Sequence, residues 1–329
     1  MVFVWFLLAA LLTVIAAIKL STYADTIGEK TSLGGMMVGT IFLAGATSLP
    51  EVTTSISAII LDSPDIAVGN VFGSNMFNLL ILASFDLYYR RQQIFAIAER
   101  THFYTASVGL LLAIVSFIAL TIRIDYSILG IGIDVWVLMT IYGLGIWMIS
   151  FLSKKHPQQP EAKTEESVYN LSAISLKTAI IGFILAALVI MGAGTLLTIT
   201  GDKIAVITGL GASFVGSFLI AATTSLPEAV SVLVALQLRN RNLALGSILG
   251  SNLFNILILG ASDVFYRDGS IISAVSDVHQ ITAAGVSILS VVILYALLRK
   301  PQDSLVRYTL PSLAVIVLYF VSSYLIFIQ

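Results

Sequence analysis

Residues 47–51 read TSLPE and residues 224–228 read TSLPE again, while residues 73–78 read GSNMFN and residues 250–255 read GSNLFN. Both pairs are separated by the same offset of 177 positions, so the spacing between the two motifs is kept in both copies. A single repeated pentapeptide could be chance, but two motifs in one register mark an internal duplication. Each copy places one glutamate, Glu51 or Glu228, in an otherwise apolar neighbourhood. What surrounds those glutamates decides the fold.

The chain has 329 residues, 58% hydrophobic and 11% charged, with a mean hydropathy of +0.99. Soluble domains carry about 25% charged residues, so this composition excludes an ordinary water-soluble protein. Ten segments hold at most one Asp, Glu, Lys or Arg: roughly 2–18, 32–61, 66–85, 102–121, 126–152, 173–199, 204–237, 242–262, 278–298 and 308–328. Runs of this length suit helices that cross a bilayer and exclude the alternating strands of a transmembrane barrel. The absence of cysteine excludes disulfides, thiolate metal sites and cysteine nucleophiles. The predicted fold class is an all-α polytopic membrane protein of ten transmembrane helices. It divides into a five-helix repeat over 1–152, a linker over 153–172 and a second five-helix repeat over 173–329. An odd number of spans per repeat makes the second copy enter the membrane from the opposite side, so the repeats are inverted.

Lysine and arginine collect in cytoplasmic connections. With the N-terminus outside, fourteen of them fall on inner connections and three, Arg123, Lys203 and Arg267, on outer ones. The expected protein is therefore a multi-pass cell-membrane protein with both termini outside and a cytoplasmic linker too short for a folded domain. The first segment has no basic leader ahead of its apolar run and is read as a retained helix.

Segment 32–61 would be about 45 Å long as a helix, against a hydrocarbon core of about 30 Å. Pro50 has no N–H to give and crowds the carbonyl of Ala46, and Pro227 stands at the matching place. The second and seventh helices are therefore expected to be broken. Carbonyls freed at that depth need a polar partner such as a cation, and paired interruptions in inverted repeats point to the binding site of secondary transporters. Glu51 follows Thr47 and Ser48 by about one turn, and Glu228 follows Thr224 and Ser225 in the same way. Ser74 with Asn78, and Ser251 with Asn255, lie four residues apart on one helical face. A set of donors made only of oxygen suits calcium or sodium. An intramembrane carboxylate is by default a functional group, whereas the hydroxyls could instead bond back to the preceding turn. Asn75 and Asn252 lie off the Ser/Asn face and read as interhelical hydrogen-bonding residues. Gly69 with Gly73 and Gly246 with Gly250 read as close-packing pairs. Asp134 is the one other acid read as well inside a span, with a pairing role and no counterpart in the other half. His102, His156 and His279 fall outside the motifs and are given no role in metal binding.

The two TSLPE motifs, each followed by GSN and a further Asn, resemble the α-repeats of the cation/calcium exchanger superfamily, specifically its sodium/calcium exchanger branch. The likeness covers the whole chain. It implies an antiporter rather than an enzyme, with Ca²⁺ and Na⁺ as transported ions, no cofactor, no nucleic-acid partner and a monomer sufficient for transport in the lipid bilayer. By the same resemblance Glu51 and Glu228 are carboxylates shared by both ions, and Thr47, Ser48, Thr224 and Ser225 give hydroxyl or carbonyl oxygens. Ala44 and Ala221 give backbone carbonyls, and Ser74, Ser251, Asn78 and Asn255 complete the ring. Asn255 stands where some relatives, prokaryotic and potassium-dependent ones among them, carry Asp, which implies potassium-independent exchange, and the family's usual exchange of three sodium ions for one calcium implies that it is electrogenic. The glycine that usually opens the motif is Ala46 here and Thr223 in the second copy. The proton-coupled branch shares this plan and is the alternative reading. A passive channel and an ATP-driven pump fit less well, the latter because no phosphate-binding loop is present.

Overall fold

The computed structural model describes residues 1–30, 45–96, 98–155, 174–237, 239–300 and 304–329. Those residues are almost wholly helical: α1 (Val2–Lys30), α2 (Leu49–Ile60), α3 (Pro64–Tyr88), α4 (Arg100–Ile122), α5 (Ile133–Lys155), α6 (Leu176–Thr208), α7 (Ala212–Phe214), α8 (Ala221–Thr224), α9 (Leu226–Gln237), α10 (Arg241–Phe265), α11 (Ile271–Ala274), α12 (Val278–Leu298) and α13 (Leu305–Phe327). A π-helical turn over Val215–Ile220 joins α7 to α8. Among the described residues nine helical stretches are long and apolar enough to cross a bilayer. The expected second span, 32–61, is described only from Gly45 onward and ends in the 12-residue α2. Of the expected linker, residues 153–155 extend α5, and residues 156–172 lie outside the described residues.

Three expected boundaries are corrected. Helix α1 runs to Lys30 rather than ending near residue 18. Helix α6 runs through Asp202 and Lys203, where an outer connection was expected, because Asp202 finds a partner in the Ser63 hydroxyl at 3.1 Å. The helix stops instead at Gly209, whose φ of 72° is a left-handed cap that glycine adopts without strain, and the seventh span begins at Ala212. The fifth helix begins at Ile133, not 126. Ahead of it a small antiparallel hairpin, β1 (Ser127–Ile128) with β2 (Ile131–Gly132), turns at Leu129 and Gly130 with φ of 58° and 77°. Positive φ at both turn residues is the geometry of two-residue hairpins.

Helices α3 and α10 form the centre. Most of α3 is buried, whereas α1, α5, α6 and α13 present large apolar side chains such as Trp5, Trp147, Leu188 and Phe320 outward, as a surface facing lipid requires. Close approach at the centre depends on missing side chains. A Cβ on Gly73 would stand 2.3 Å from the Ser217 carbonyl oxygen, and one on Gly69 would stand 3.0 Å from the Ser217 nitrogen. The expected packing role of this glycine pair is thus met by the π-helical turn. For Gly246 the nearest atom is His102 Cε1 at 3.5 Å, and Gly250 has no neighbour within 4 Å among the described residues. The repeat equivalent of Ser217 is Thr40, which lies outside them.

The ends of the two central helices are stapled by polar groups related by the same offset. Asp65 at the start of α3 meets His279 Nε2 at 3.0 Å and accepts from the Ser276 N–H at 2.8 Å. At the start of α10, Asn242 hydrogen-bonds His102 and donates to Glu99 at 2.7 Å. Asp65 and Asn242, and His102 and His279, are each 177 apart, so both histidines are helix-end staples between the halves. Far down the same helices lie Asp86 and Asp263, also 177 apart and fully buried. Asp86 accepts from the Tyr308 hydroxyl and from Ser312 at 2.5 Å. Asp263 accepts from the backbone of Gly132 at 2.8 Å and Ile271 at 2.7 Å. Asp134 is therefore not the only further acid inside the spans. Asp134 itself makes a pairing contact of the kind expected, accepting from Ser270 at 2.9 Å.

Gly73→Ala forces backbone apart at the centre, an overpacking cost of about 1–3 kcal/mol. The Tm of the detergent-solubilised protein should fall by several degrees. The exposed Gly192→Ala, with nothing within 4 Å, should leave it unchanged or slightly raised.

Candidate functional site

The two TSLPE motifs occupy matching kinks. Helical residues 45–47 end in a turn at Ser48, with φ −86° and ψ 10°, before α2 resumes. Helix α8 ends in a turn at Ser225, with φ −86° and ψ 3°, before α9 resumes. In each case a proline two residues on has no N–H for the preceding turn. The kink places the serine hydroxyl of one half against the glutamate of the other. Ser225 donates to Glu51 Oε1 at 3.2 Å, and Ser48 lies 3.4 Å from Glu228 Oε1. Both carboxylates are 1% exposed.

The central helices close the ring from either side. Ser74 Oγ lies 3.5 Å from Thr224 Oγ1, and Ser251 Oγ lies 3.5 Å from Ser48 Oγ. The Thr47 hydroxyl is in hydrogen-bond reach of Glu228, and that of Thr224 is in reach of Glu51. One turn further along, Asn78 donates to Asn252 Oδ1 at 3.0 Å, and Asn255 donates to Asn75 Oδ1 at 2.9 Å. Asn75 and Asn252 are thus the interhelical bonding residues that their position suggests. They also hold the amide N–H groups of Asn78 and Asn255 and leave those residues' oxygens turned elsewhere. The serine–glutamate, threonine–glutamate and Asn–Asn contacts each have a counterpart 177 residues away, whereas Ser74 meets Thr224 and Ser251 meets Ser48, which are not equivalent positions.

Four buried acceptors of the cluster have no donor among the described residues: Glu51 Oε2, Glu228 Oε2, Asn78 Oδ1 and Asn255 Oδ1. Buried acceptors are ordinarily satisfied, so an oxygen-only group of this kind fits a cation. No cluster of three or more His, Cys, Asp or Glu that could hold a metal ion occurs among the described residues. The Ala221 carbonyl accepts from the Ser225 N–H at 3.0 Å and lies 3.3 Å from the Thr224 hydroxyl. Ala44 lies outside the described residues. One residue the motifs did not disclose joins the cluster. Asn70 on α3 is fully buried and reaches both kinked helices. Its repeat equivalent is Ser247, so the offset gave no signal for it; a lone amide inside a predicted span was the only one.

The profile of the family described as sodium/calcium exchanger protein matches residues 1–154 and 178–328. The chain belongs to that family. It is 26% identical over 250 residues to the putative antiporter CaxA of Alkalimonas amylolytica, covering 73% of each chain. Its fold matches the sodium-calcium exchanger NCX_Mj with a TM-score of 0.59 at 21% identity, covering 98% of both chains. The H⁺/Ca²⁺ exchanger CAX matches with a TM-score of 0.68 at 15% identity, covering 98% of this chain and 87% of that one. The expected architecture of a helical, multi-pass exchanger of the cation/calcium superfamily therefore stands.

Asn252→Ala breaks two buried bonds and strands the Asn78 amide, a group worth about 1–3 kcal/mol when left unpaired. Asn255→Ala removes one bond but also one orphaned oxygen. Thermal melts in detergent should show the larger fall for Asn252→Ala.

Proposed function

We propose that this exchanger is a secondary active antiporter that moves calcium against sodium by alternating access, with Glu51 and Glu228 as its central ion ligands. The observation that carries the reading is the set of four donor-less buried oxygens, two carboxylate and two amide, in repeat-related pairs. Two carboxylates balance one divalent cation. Oxygen donors at flexible distances suit calcium and sodium. Thr47, Ser48, Thr224, Ser225, Ser74 and Ser251 supply hydroxyl oxygens around them, and the carbonyls of Ala44 and Ala221 complete the cage. The abundance of neutral oxygens supports sodium rather than proton coupling. Protons need only the two carboxylates, whereas several monovalent ions replacing one calcium each need their own shell of oxygens.

In this reading the halves 1–152 and 173–329, joined by the cytoplasmic linker 153–172, rock about the fixed central ring. One chain carries the whole ring, so a monomer suffices. With Lys19 inside α1 and Lys203 inside α6, thirteen inner against two outer basic residues support a cell-membrane protein with both termini outside. Calcium and sodium are its transported substrates, and no cofactor is required.

Glu51→Gln and Glu228→Gln should each abolish calcium uptake into sodium-loaded proteoliposomes while the protein still inserts and elutes as a single species. A divalent ion with one carboxylate in a low-dielectric centre is poorly compensated. Near-normal uptake by either variant would sink the assignment.

Uptake should depend on the sodium gradient, persist without potassium, and respond to a potential set with valinomycin, by about 2.3 kcal/mol per charge per 100 mV. Uptake driven by a pH gradient alone in sodium-free vesicles would assign proton coupling instead.

A further inference from the structure

Asn70 is the one amide of the central cluster whose place is not duplicated, and its bonds fix which way it faces. Its Nδ2 lies 2.7 Å from Thr54 Oγ1, 2.9 Å from Ser55 Oγ and 3.2 Å from the Glu51 carbonyl. Thr54 spends its own hydrogen on the Pro50 carbonyl at 2.9 Å, and Ser55 points its hydrogen at the Ala67 carbonyl at 3.5 Å. Both hydroxyls therefore accept from Asn70, and only the Nδ2 end of the amide can face them. The Oδ1 end is left facing Thr224 Oγ1 at 3.2 Å, where the hydroxyl donates.

That donation matters because Thr224 also lies within reach of the Glu51 carboxylate. A hydroxyl has one hydrogen and two lone pairs. With a cation at Glu51, a hydrogen still aimed at the carboxylate would set its positive end toward the ion. Asn70 Oδ1 at 3.2 Å and the Ala221 carbonyl at 3.3 Å are the other acceptors within reach of that hydrogen, and the amide is the nearer; with the hydrogen on Asn70, both Thr224 lone pairs are free to face the ion. The same amide donates its two hydrogens to Thr54 and Ser55 on α2, one turn beyond Glu51, so one residue on α3 contacts both broken helices.

We infer that Asn70 is a positioning residue for ion binding: it holds the Thr224 hydroxyl with its hydrogen outward and its lone pairs on the ion at Glu51. This rests on the ion-site reading above. The equivalent position in the second repeat is Ser247, so this device serves one side of the ring only.

The test is a double-mutant cycle on calcium binding, measured by titration calorimetry of the purified full chain, with Tm recorded for each variant. Asn70→Ala and Thr224→Val should each weaken calcium binding about tenfold. The double variant should be no weaker than the poorer single one, because both remove the same oriented hydroxyl. A merely structural role for Asn70 predicts a lowered Tm and affinity losses that multiply, and that outcome would overturn the inference, as would unchanged affinity in Asn70→Ala. Asn70→Asp keeps the acceptor facing Thr224 and should retain more affinity than Asn70→Ala even if its Tm is as low. If Glu51→Gln and Thr224→Val both leave calcium binding intact, the ion site itself is misplaced; if only Asn70→Ala does so, the site stands and the positioning role falls.

Discussion

A proline in the middle of a membrane-spanning helix withholds an N–H where no water can replace it, and Pro50 and Pro227 both do this next to a glutamate. The chain answers by turning sharply at Ser48 and Ser225 with nearly the same backbone angles. Each turn swings a serine hydroxyl across to the glutamate of the other half. The reciprocity is what stabilises the arrangement. Neither kink could satisfy its own carboxylate, but two kinks facing one another satisfy one oxygen of each and leave one oxygen of each toward the centre.

Holding the kinks face to face falls to α3 and α10. Small residues let α3 meet the π-helical turn at backbone distance, and the buried pairs at their ends fix their depth. Asp65 with His279 and Asn242 with His102 secure their starts, while Asp86 and Asp263 secure their far ends to α13 and to the connections beside α5 and α11. A carboxylate at the end of a helix is not favoured by the helix dipole, so the burial of Asp86 and Asp263 reflects the two or more donors each receives.

The sequence disclosed those parts of this plan that are written twice. TSLPE and GSN with its following Asn named the kinked helices and the ring because copies in register cannot be mistaken for composition. The same offset relates Asp86 to Asp263 and His102 to His279, but single residues without a shared motif around them do not stand out from composition. Boundaries failed where tertiary contact overrode charge: Asp202 stays inside α6 because Ser63 bonds it, and Leu129 and Gly130 make a hairpin where apolar content alone suggested helix. Asn70 was illegible because its function depends on which way an amide faces, and that is set by Thr54, Ser55 and Thr224 on two other helices.

The arrangement bears on why such a site would exchange ions rather than leak them. With two carboxylates at 1% exposure and no basic side chain among their hydrogen-bond partners, an ion-free ring would carry buried charge without a counter-ion, at a cost of several kcal/mol per group. Serine and threonine hydroxyls offset part of that cost but carry no charge. Reorientation of the halves would be least costly when the ring holds positive charge, whether one calcium or a set of sodium ions, and most costly when it is empty. In the proposed antiport, that penalty on the empty ring would oppose the return step that turns an exchanger into a uniporter. Neutral oxygens from Asn78 and Asn255 fit the same logic, since they add coordination without adding charge that a smaller ionic load could not balance.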